Sequence, residues 1–172
     1  MRKLLIIMFA GLLVTVACTS KKTEYPSADG KTKAVYDELN GSWLITDSTG
    51  AEPVQDYDSM RVTEVGKDGH PMTVIYYKGN RQTQLQYYTG MIPRSRGEIV
   101  DSRREGPWVF YYPDGKVQAE ATFVGGREEG SYRVYRENGV PFYIGQYRNG
   151  ARVGLWEVYD EEGNMVETKS YD

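Results

Sequence analysis

The sequence predicts an all-β protein, built as an elongated antiparallel meander of repeated β-hairpins with a signal peptide and a flexible tether before it. Three observations support this fold. Aromatic residues and glycines recur every 24 residues in the second half of the chain, which contains much of its 19 glycines and 15 tyrosines. Segments rich in strand-forming residues alternate with glycine-containing turns. An apolar N-terminal segment ends at the only cysteine.

The N-terminal segment predicts export and membrane attachment. Arg2 and Lys3 precede an apolar run from Leu4 to Ala17, which is shorter than the roughly 20 residues that span a bilayer. Cys18 follows directly, and this arrangement resembles the lipobox of bacterial lipoproteins, although Thr15 stands where leucine is usual. The resemblance implies a signal peptide over 1–17 and an acylated Cys18. A plain secretory signal with a chance cysteine is the alternative.

Residues 18–31 predict a lipidated N-terminus and a polar tether, because the segment has no apolar period. Lipoproteins that carry Asp after the cysteine tend to stay in the inner membrane. This chain has Thr19 there, so the resemblance favours the outer membrane in a cell with two membranes.

The repeat is clearest over 97–172. Its columns are spaced by 24 residues and consist of aromatic residues or glycines. They are Gly106/Gly130/Gly154, Trp108/Tyr132/Trp156, Tyr111/Tyr135/Tyr159, Gly115/Gly139/Gly163 and Phe123/Tyr147/Tyr171. Self-similarity at a fixed period is the signature of a repeat architecture.

Each repeat predicts one hairpin. Residues 108–112 are aromatic or β-branched and favour a strand, and Pro113-Asp114-Gly115 favours a turn. A second strand leads to a charged turn predicted over 124–130. Because side chains alternate along a strand, the Trp108/Tyr132/Trp156 column is expected on one face and the Tyr111/Tyr135/Tyr159 column on the other.

Upstream, residues 32–96 are predicted to form degenerate repeats. The stretch from Lys67 to Arg81 resembles another unit, and Gly41-Ser42-Trp43 copies the spacing of Gly106-Pro107-Trp108. Residues 31–39 are predicted to form a short cap helix, because terminal units of repeat arrays need atypical caps.

These features resemble the MORN repeat, and most closely its bacterial variant. The stretch 147–156 shows the aromatic residue, glycine, basic residue and second glycine that the family favours. Trp108, Tyr132 and Trp156 replace a glycine of the eukaryotic form, and no histidine precedes Gly154. The resemblance implies a repeat scaffold, and proteins of this type are often labelled as antitoxins of a toxin–antitoxin pair.

Composition argues against several functions. A net charge of −3 disfavours general binding to nucleic-acid phosphates. With one histidine and one cysteine, neither a metal site nor a cofactor is expected. We expect no catalytic activity. An envelope hydrolase using Glu105, Glu129 and His70 is the alternative from another class, but the carboxylates recur at each turn, whereas an active site is normally a single constellation.

The aromatic columns are the candidate binding residues. Packing is one interpretation of both columns, because cross-strand aromatic pairs stabilise a narrow sheet. The other is a stripe that contacts an envelope protein, a peptide or a glycan, since exposed aromatic residues anchor interfaces. A role as an antitoxin or immunity protein would require a toxin that acts in the envelope.

Overall fold

The computed structural model describes residues 5–9, 12–16, 21–47, 53–54 and 56–172. Apart from a single turn of 3₁₀ helix, Thr89–Met91, its regular elements are strands. The first five are β1 Leu5–Phe9, β2 Leu12–Val16, β3 Lys22–Pro26, β4 Thr32–Asp37 and β5 Ser42–Asp47. The next four are β6 Ser59–Val65, β7 Pro71–Lys78, β8 Arg81–Tyr87 and β9 Pro93–Val100. The last six are β10 Arg103–Tyr111, β11 Val117–Val124, β12 Arg127–Tyr135, β13 Pro141–Arg148, β14 Ala151–Tyr159 and β15 Met165–Tyr171.

The strands form three antiparallel sheets. Strands β6 to β15 make one ten-stranded sheet in which each strand pairs with its neighbours along the chain. Strands β3, β4 and β5 make a three-stranded sheet, and β1 pairs with β2. The ten-stranded meander confirms the predicted fold class, and it extends the meander back to Ser59, well before the clear repeats.

Two kinds of turn alternate along the two edges of this sheet. On the first edge, turns such as 113–116 contain Asp and Gly, and the Asp114 carboxylate accepts a hydrogen bond from the Lys116 amide at 3.0 Å. On the second edge the turns have only two residues, both with positive φ, as at Gly125 and Gly126. Such turns match the twist of the strands that they join.

The charged turn predicted over 124–130 is therefore too long. The turn is confined to Gly125 and Gly126, and β12 already begins at Arg127. Gly130 has φ 77° inside this strand, next to an irregularity of the pairing with β11. The reason is that a glycine can adopt positive φ at a bulge as well as in a turn.

The cap helix predicted over 31–39 is wrong, because Thr32–Asp37 is a strand. It pairs with β3 and β5, whose partners offer backbone hydrogen bonds that a lone segment of this length cannot replace with helix. We call the sheet of β3, β4 and β5 the cover sheet. It packs on one face of the meander at the end formed by β6 to β8.

The cover sheet creates the largest apolar core of the described residues. Ala34 and Ile45 are fully buried in it against Val74, Tyr76 and Leu85 of the meander. The sequence predicted a row of hairpins without such a core, and this end of the molecule departs from that prediction. Within the described part of the chain, no helix is long and apolar enough to cross a membrane.

Candidate binding face

The two aromatic columns lie on opposite faces of the ten-stranded sheet, as the alternation predicts. The strand register places Trp108 opposite Ala121, and Ala121 opposite Tyr132. The residues between them in the same strands, Val109, Glu120 and Arg133, form a row on the other face. We call the face with Trp108, Tyr132 and Trp156 the tryptophan face, and the face with Tyr111, Tyr135 and Tyr159 the tyrosine face.

The tryptophan face is a packed aromatic layer. Trp108 is 1% exposed and Trp156 is 3% exposed, whereas Tyr132 is half-buried. The Tyr132 ring lies 6.0 Å from Trp156 between centroids, and Tyr147 lies 5.2 Å from Tyr132 and 5.1 Å from Trp156. Burial of this depth indicates that these three predicted site residues stabilise the sheet and offer little surface to a ligand.

A column of small residues that we did not predict makes this burial possible. Gly97 lies opposite Trp108 and Gly145 opposite Tyr132, with Ala121 between them in the same row. A Cβ on Gly97 would lie 2.2 Å from the Trp108 indole, and one on Gly145 would lie 2.3 Å from the Trp156 indole. The 24-residue spacing of 97, 121 and 145 was the available signal.

Arginines complete the cover of the tryptophans. The guanidinium of Arg104 lies 4.6 Å from the Trp108 ring, and that of Arg152 lies 4.5 Å from the Trp156 ring. The position between them in the repeat is Glu128, beside the smaller Tyr132. Cation–π contacts of this kind are favourable and shield the ring face from water.

The tyrosine face has a different character. Tyr111, Tyr135 and Tyr159 are half-buried and follow one another along the first edge; we call these three residues the tyrosine row. The Tyr135 hydroxyl donates to Glu120 at 2.8 Å, and the Tyr159 hydroxyl donates to Glu157 at 2.7 Å. Hydrogen bonding to Glu157 raises the pKa of Tyr159, because the bond favours the protonated hydroxyl. These bonds hold the two rings against their strands.

The backbone of the tyrosine row is tied to the preceding repeat. The Tyr88 hydroxyl donates to the Tyr111 carbonyl at 3.1 Å, and the Tyr112 hydroxyl donates to the Tyr135 carbonyl at 2.7 Å. Arg136 takes the same place in the next repeat and donates to the Tyr159 carbonyl at 2.9 Å. Each residue of the row is therefore positioned by a side chain one repeat earlier.

The cover sheet occupies only one end of the tyrosine face. Tyr87 lies 24 residues before Tyr111 and is 4% exposed in the core beneath the cover sheet, where desolvation raises its pKa. Among the described residues, no second layer covers the face over β10 to β15. The row thus begins where the cover sheet ends and continues over open surface.

A pocket lies at this boundary, and we call it the seam pocket. Its volume is about 240 Å³. The residues that we use below line it from both sheets: Asp47 and Pro53 beside the cover sheet, and Leu85, Tyr87, Arg96 and Tyr111 of the meander. Sequence reasoning missed this pocket, because it depends on where the cover sheet docks.

The residues of the hydrolase alternative lie apart. Glu105 accepts a hydrogen bond from the Gly125 amide at 2.8 Å, and Glu129 accepts one from the Asn149 amide at 2.7 Å. Both carboxylates are on the second edge, whereas His70 is in a turn at the first edge, beyond the full length of β7. The structure gives the two glutamates a role in holding turns and does not join them to His70.

Cys18, the predicted lipidation site, lies outside the described residues. Among the described residues, no group of three or more His, Cys, Asp or Glu side chains is arranged to hold a metal ion.

Comparison with protein families matches three segments to the MORN repeat variant, at residues 104–124, 128–149 and 152–172. The starts of these segments are 24 residues apart, in agreement with the period and register of the sequence repeat. The match supports a MORN-type repeat scaffold for this part of the chain. Comparison with curated proteins gave no match.

The solved structures that are similar include two of TarM. One is S. aureus TarM in complex with fondaparinux, α-GlcNAc-glycerol and UDP, at 10% identity and a TM-score of 0.35, covering 77% of this chain. The other, at 10% identity and a TM-score of 0.34, covers 76% of this chain. The chain spans about a fifth of the length of these structures, with 21% and 20% of them covered.

Proposed function

We propose that the protein is a non-catalytic binding scaffold of the cell envelope, which binds a partner through the tyrosine row and is held at a membrane by lipid on Cys18. The observation that carries the binding role is the uncovered part of the tyrosine face, which begins at a pocket and presents one tyrosine per repeat. Tyrosine supplies a large contact area at little cost in conformational entropy.

The contrast between the two faces supports this choice of surface. The tryptophans are buried under their own arginines, so removing them would damage the sheet. The row tyrosines are half-buried and anchored by hydroxyl and backbone hydrogen bonds, so their geometry is set before a partner arrives. Preorganised side chains lose less entropy on binding.

The binding role can be tested by cross-linking in cells. A variant with Tyr111, Tyr135 and Tyr159 all replaced by Ala should lose its cross-linked envelope partner while it keeps a cooperative unfolding transition. Tyr143→Ala, which changes a half-buried tyrosine on the opposite face, is the matched control and should keep the partner. Retention of the partner by the triple variant would refute the proposal.

The membrane attachment is tested separately. The apolar segment before Cys18 and the polar tether after it support lipidation, and several acyl chains on one residue suffice for stable anchoring. Cys18→Ser should move the protein from the membrane fraction to the soluble fraction. Unchanged fractionation would contradict the lipid anchor and leave the binding role standing.

A further inference from the structure

Building on the proposed binding role of the tyrosine row, we propose that its ligand is a proline-rich peptide segment in the polyproline II conformation, anchored by one side chain in the seam pocket. The proposal rests on the spacing of the row, its direction across the strands and the chemistry of the pocket.

The spacing of the row matches the pitch of this helix. Successive row residues lie two strands apart, which corresponds to about 9.6 Å for strands about 4.8 Å apart. A polyproline II helix has three residues per turn and advances about 9.3 Å in that turn. One turn of the ligand would therefore meet each tyrosine.

The direction of the row disfavours pairing with the sheet. The row crosses the strands, so a ligand lying along it cannot extend the sheet, which requires a free strand edge. A polyproline II segment has no internal hydrogen bonds and keeps its backbone solvated. It can lie on aromatic rings without burying backbone groups that would then lack partners.

Hydrogen-bond donors lie beside the row. Proline residues offer carbonyl acceptors and no amide donors. Arg96 and Arg133 are exposed members of the row of side chains that runs alongside the tyrosines on the same face. Their guanidinium groups are suited to donate to the carbonyl oxygens of such a ligand.

The seam pocket favours a peptide over a glycan. Leu85 and Tyr87, which are 7% and 4% exposed, line it together with Pro53, so this wall is apolar. An apolar side chain would gain from burial here, whereas sugar hydroxyls would lose water without finding partners. Asp47 and Arg96 line the same pocket and can orient polar groups next to the anchor. The pocket is continuous with the interface of the cover sheet, so the ligand would extend a surface that the protein already packs.

The test uses the full-length protein in detergent and calorimetric titration with synthetic peptides. Proline-rich peptides of about six, nine and twelve residues are compared, because about nine residues reach from Tyr111 to Tyr159. Affinity should rise between the first two lengths and level off beyond them. A glycine–serine peptide of the middle length should bind at least about tenfold more weakly.

Variants connect the length dependence to the row. Tyr111→Ala, at the pocket, should lower affinity for every peptide by about tenfold or more, as expected of an interface anchor. Tyr159→Ala should remove only the gain between the short and middle lengths. Tyr143→Ala should leave binding unchanged, and unfolding curves of each variant show whether it is folded.

Equal binding of the glycine–serine peptide, affinity that does not depend on length, or binding of a β-linked glycan in place of the peptide would overturn the inference. If no proline-rich peptide binds but the triple tyrosine variant still loses its cross-linked partner in cells, the ligand class is wrong and the scaffold role stands. If the triple variant keeps its partner, the scaffold role itself fails.

Discussion

The indole of Trp156 lies directly against the backbone of Gly145, so closely that a Cβ on Gly145 would be 2.3 Å from the ring. The same relationship joins Trp108 to Gly97. In the repeat between them the pair is Tyr132 with Ala121, a smaller ring next to a larger neighbour. The ring and the residue beneath it are thus matched in size along the sheet.

This match predicts that Gly145→Ala destabilises the protein. The new methyl group would displace the indole, and overpacking of this kind costs about 1–3 kcal/mol. The free energy of unfolding in denaturant measures the effect. The double variant of Gly145→Ala with Trp156→Tyr reproduces the middle repeat and should recover part of the loss. A double variant whose loss equals the sum of the two single losses would contradict the size match.

The two-residue turns of the second edge predict a stabilising substitution. Ser102 has φ 62° between β9 and β10, where the other repeats have Gly126 and Gly150. A side chain in this conformation costs about 1 kcal/mol, so Ser102→Gly should raise the unfolding free energy by about that amount. Ser131→Gly, at an exposed position within β12, is the control and should lower it, because glycine weakens a strand interior.

His70 links the cover sheet to the meander. Its Nε2 donates to the Pro26 carbonyl at 2.8 Å, and its Nδ1 lies 3.1 Å from the Asp68 carboxylate. His70→Ala should loosen the cover sheet and increase amide hydrogen exchange in β3, β4 and β5, while exchange in β12 to β14 stays unchanged. Lys67→Ala, an exposed change in the same turn, is the control. Uniformly faster exchange in both sheets would show that His70 has no specific role in docking.

Asp160 predicts a dependence of stability on acid. Its side chain accepts hydrogen bonds from the side chain and amide of Asn164, at 3.0 and 2.7 Å, and these bonds lower its pKa below the usual 3.8. Because the folded pKa is the lower one, the carboxylate stabilises the folded state above the unfolded pKa. That contribution disappears as the pH falls through the folded pKa.

Asp160→Asn should therefore lower the unfolding free energy at neutral pH, and the difference from the wild-type protein should shrink in strong acid. Glu161→Gln, an exposed change in the same turn, serves as the control for loss of a negative charge. A difference between wild type and Asp160→Asn that stays constant from neutral pH into strong acid would show that the hydrogen-bonded carboxylate is not responsible.

Local sequence signals determined the regular half of this protein. The 24-residue columns, the strand-forming residues and the Asp-Gly turns predicted the meander, and alternation placed Trp108 and Tyr111 on opposite faces. These features depend on neighbours along the chain, and in this sheet sequence neighbours are also spatial neighbours. Turn lengths were less accurate, because glycines at bulges and in turns have the same sequence signature.

The tertiary structure alone decided where the cover sheet docks and which aromatic column is buried. Residues 32–37 become a strand because β3 and β5 pair with them, and no local pattern encodes those partners. The burial of Trp108 depends on Gly97 in the neighbouring strand and on Arg104 above the ring. The seam pocket and the open part of the tyrosine face exist only because the cover sheet stops before β10. Packing between separate sheets selects those contacts, and a repeat period cannot specify them.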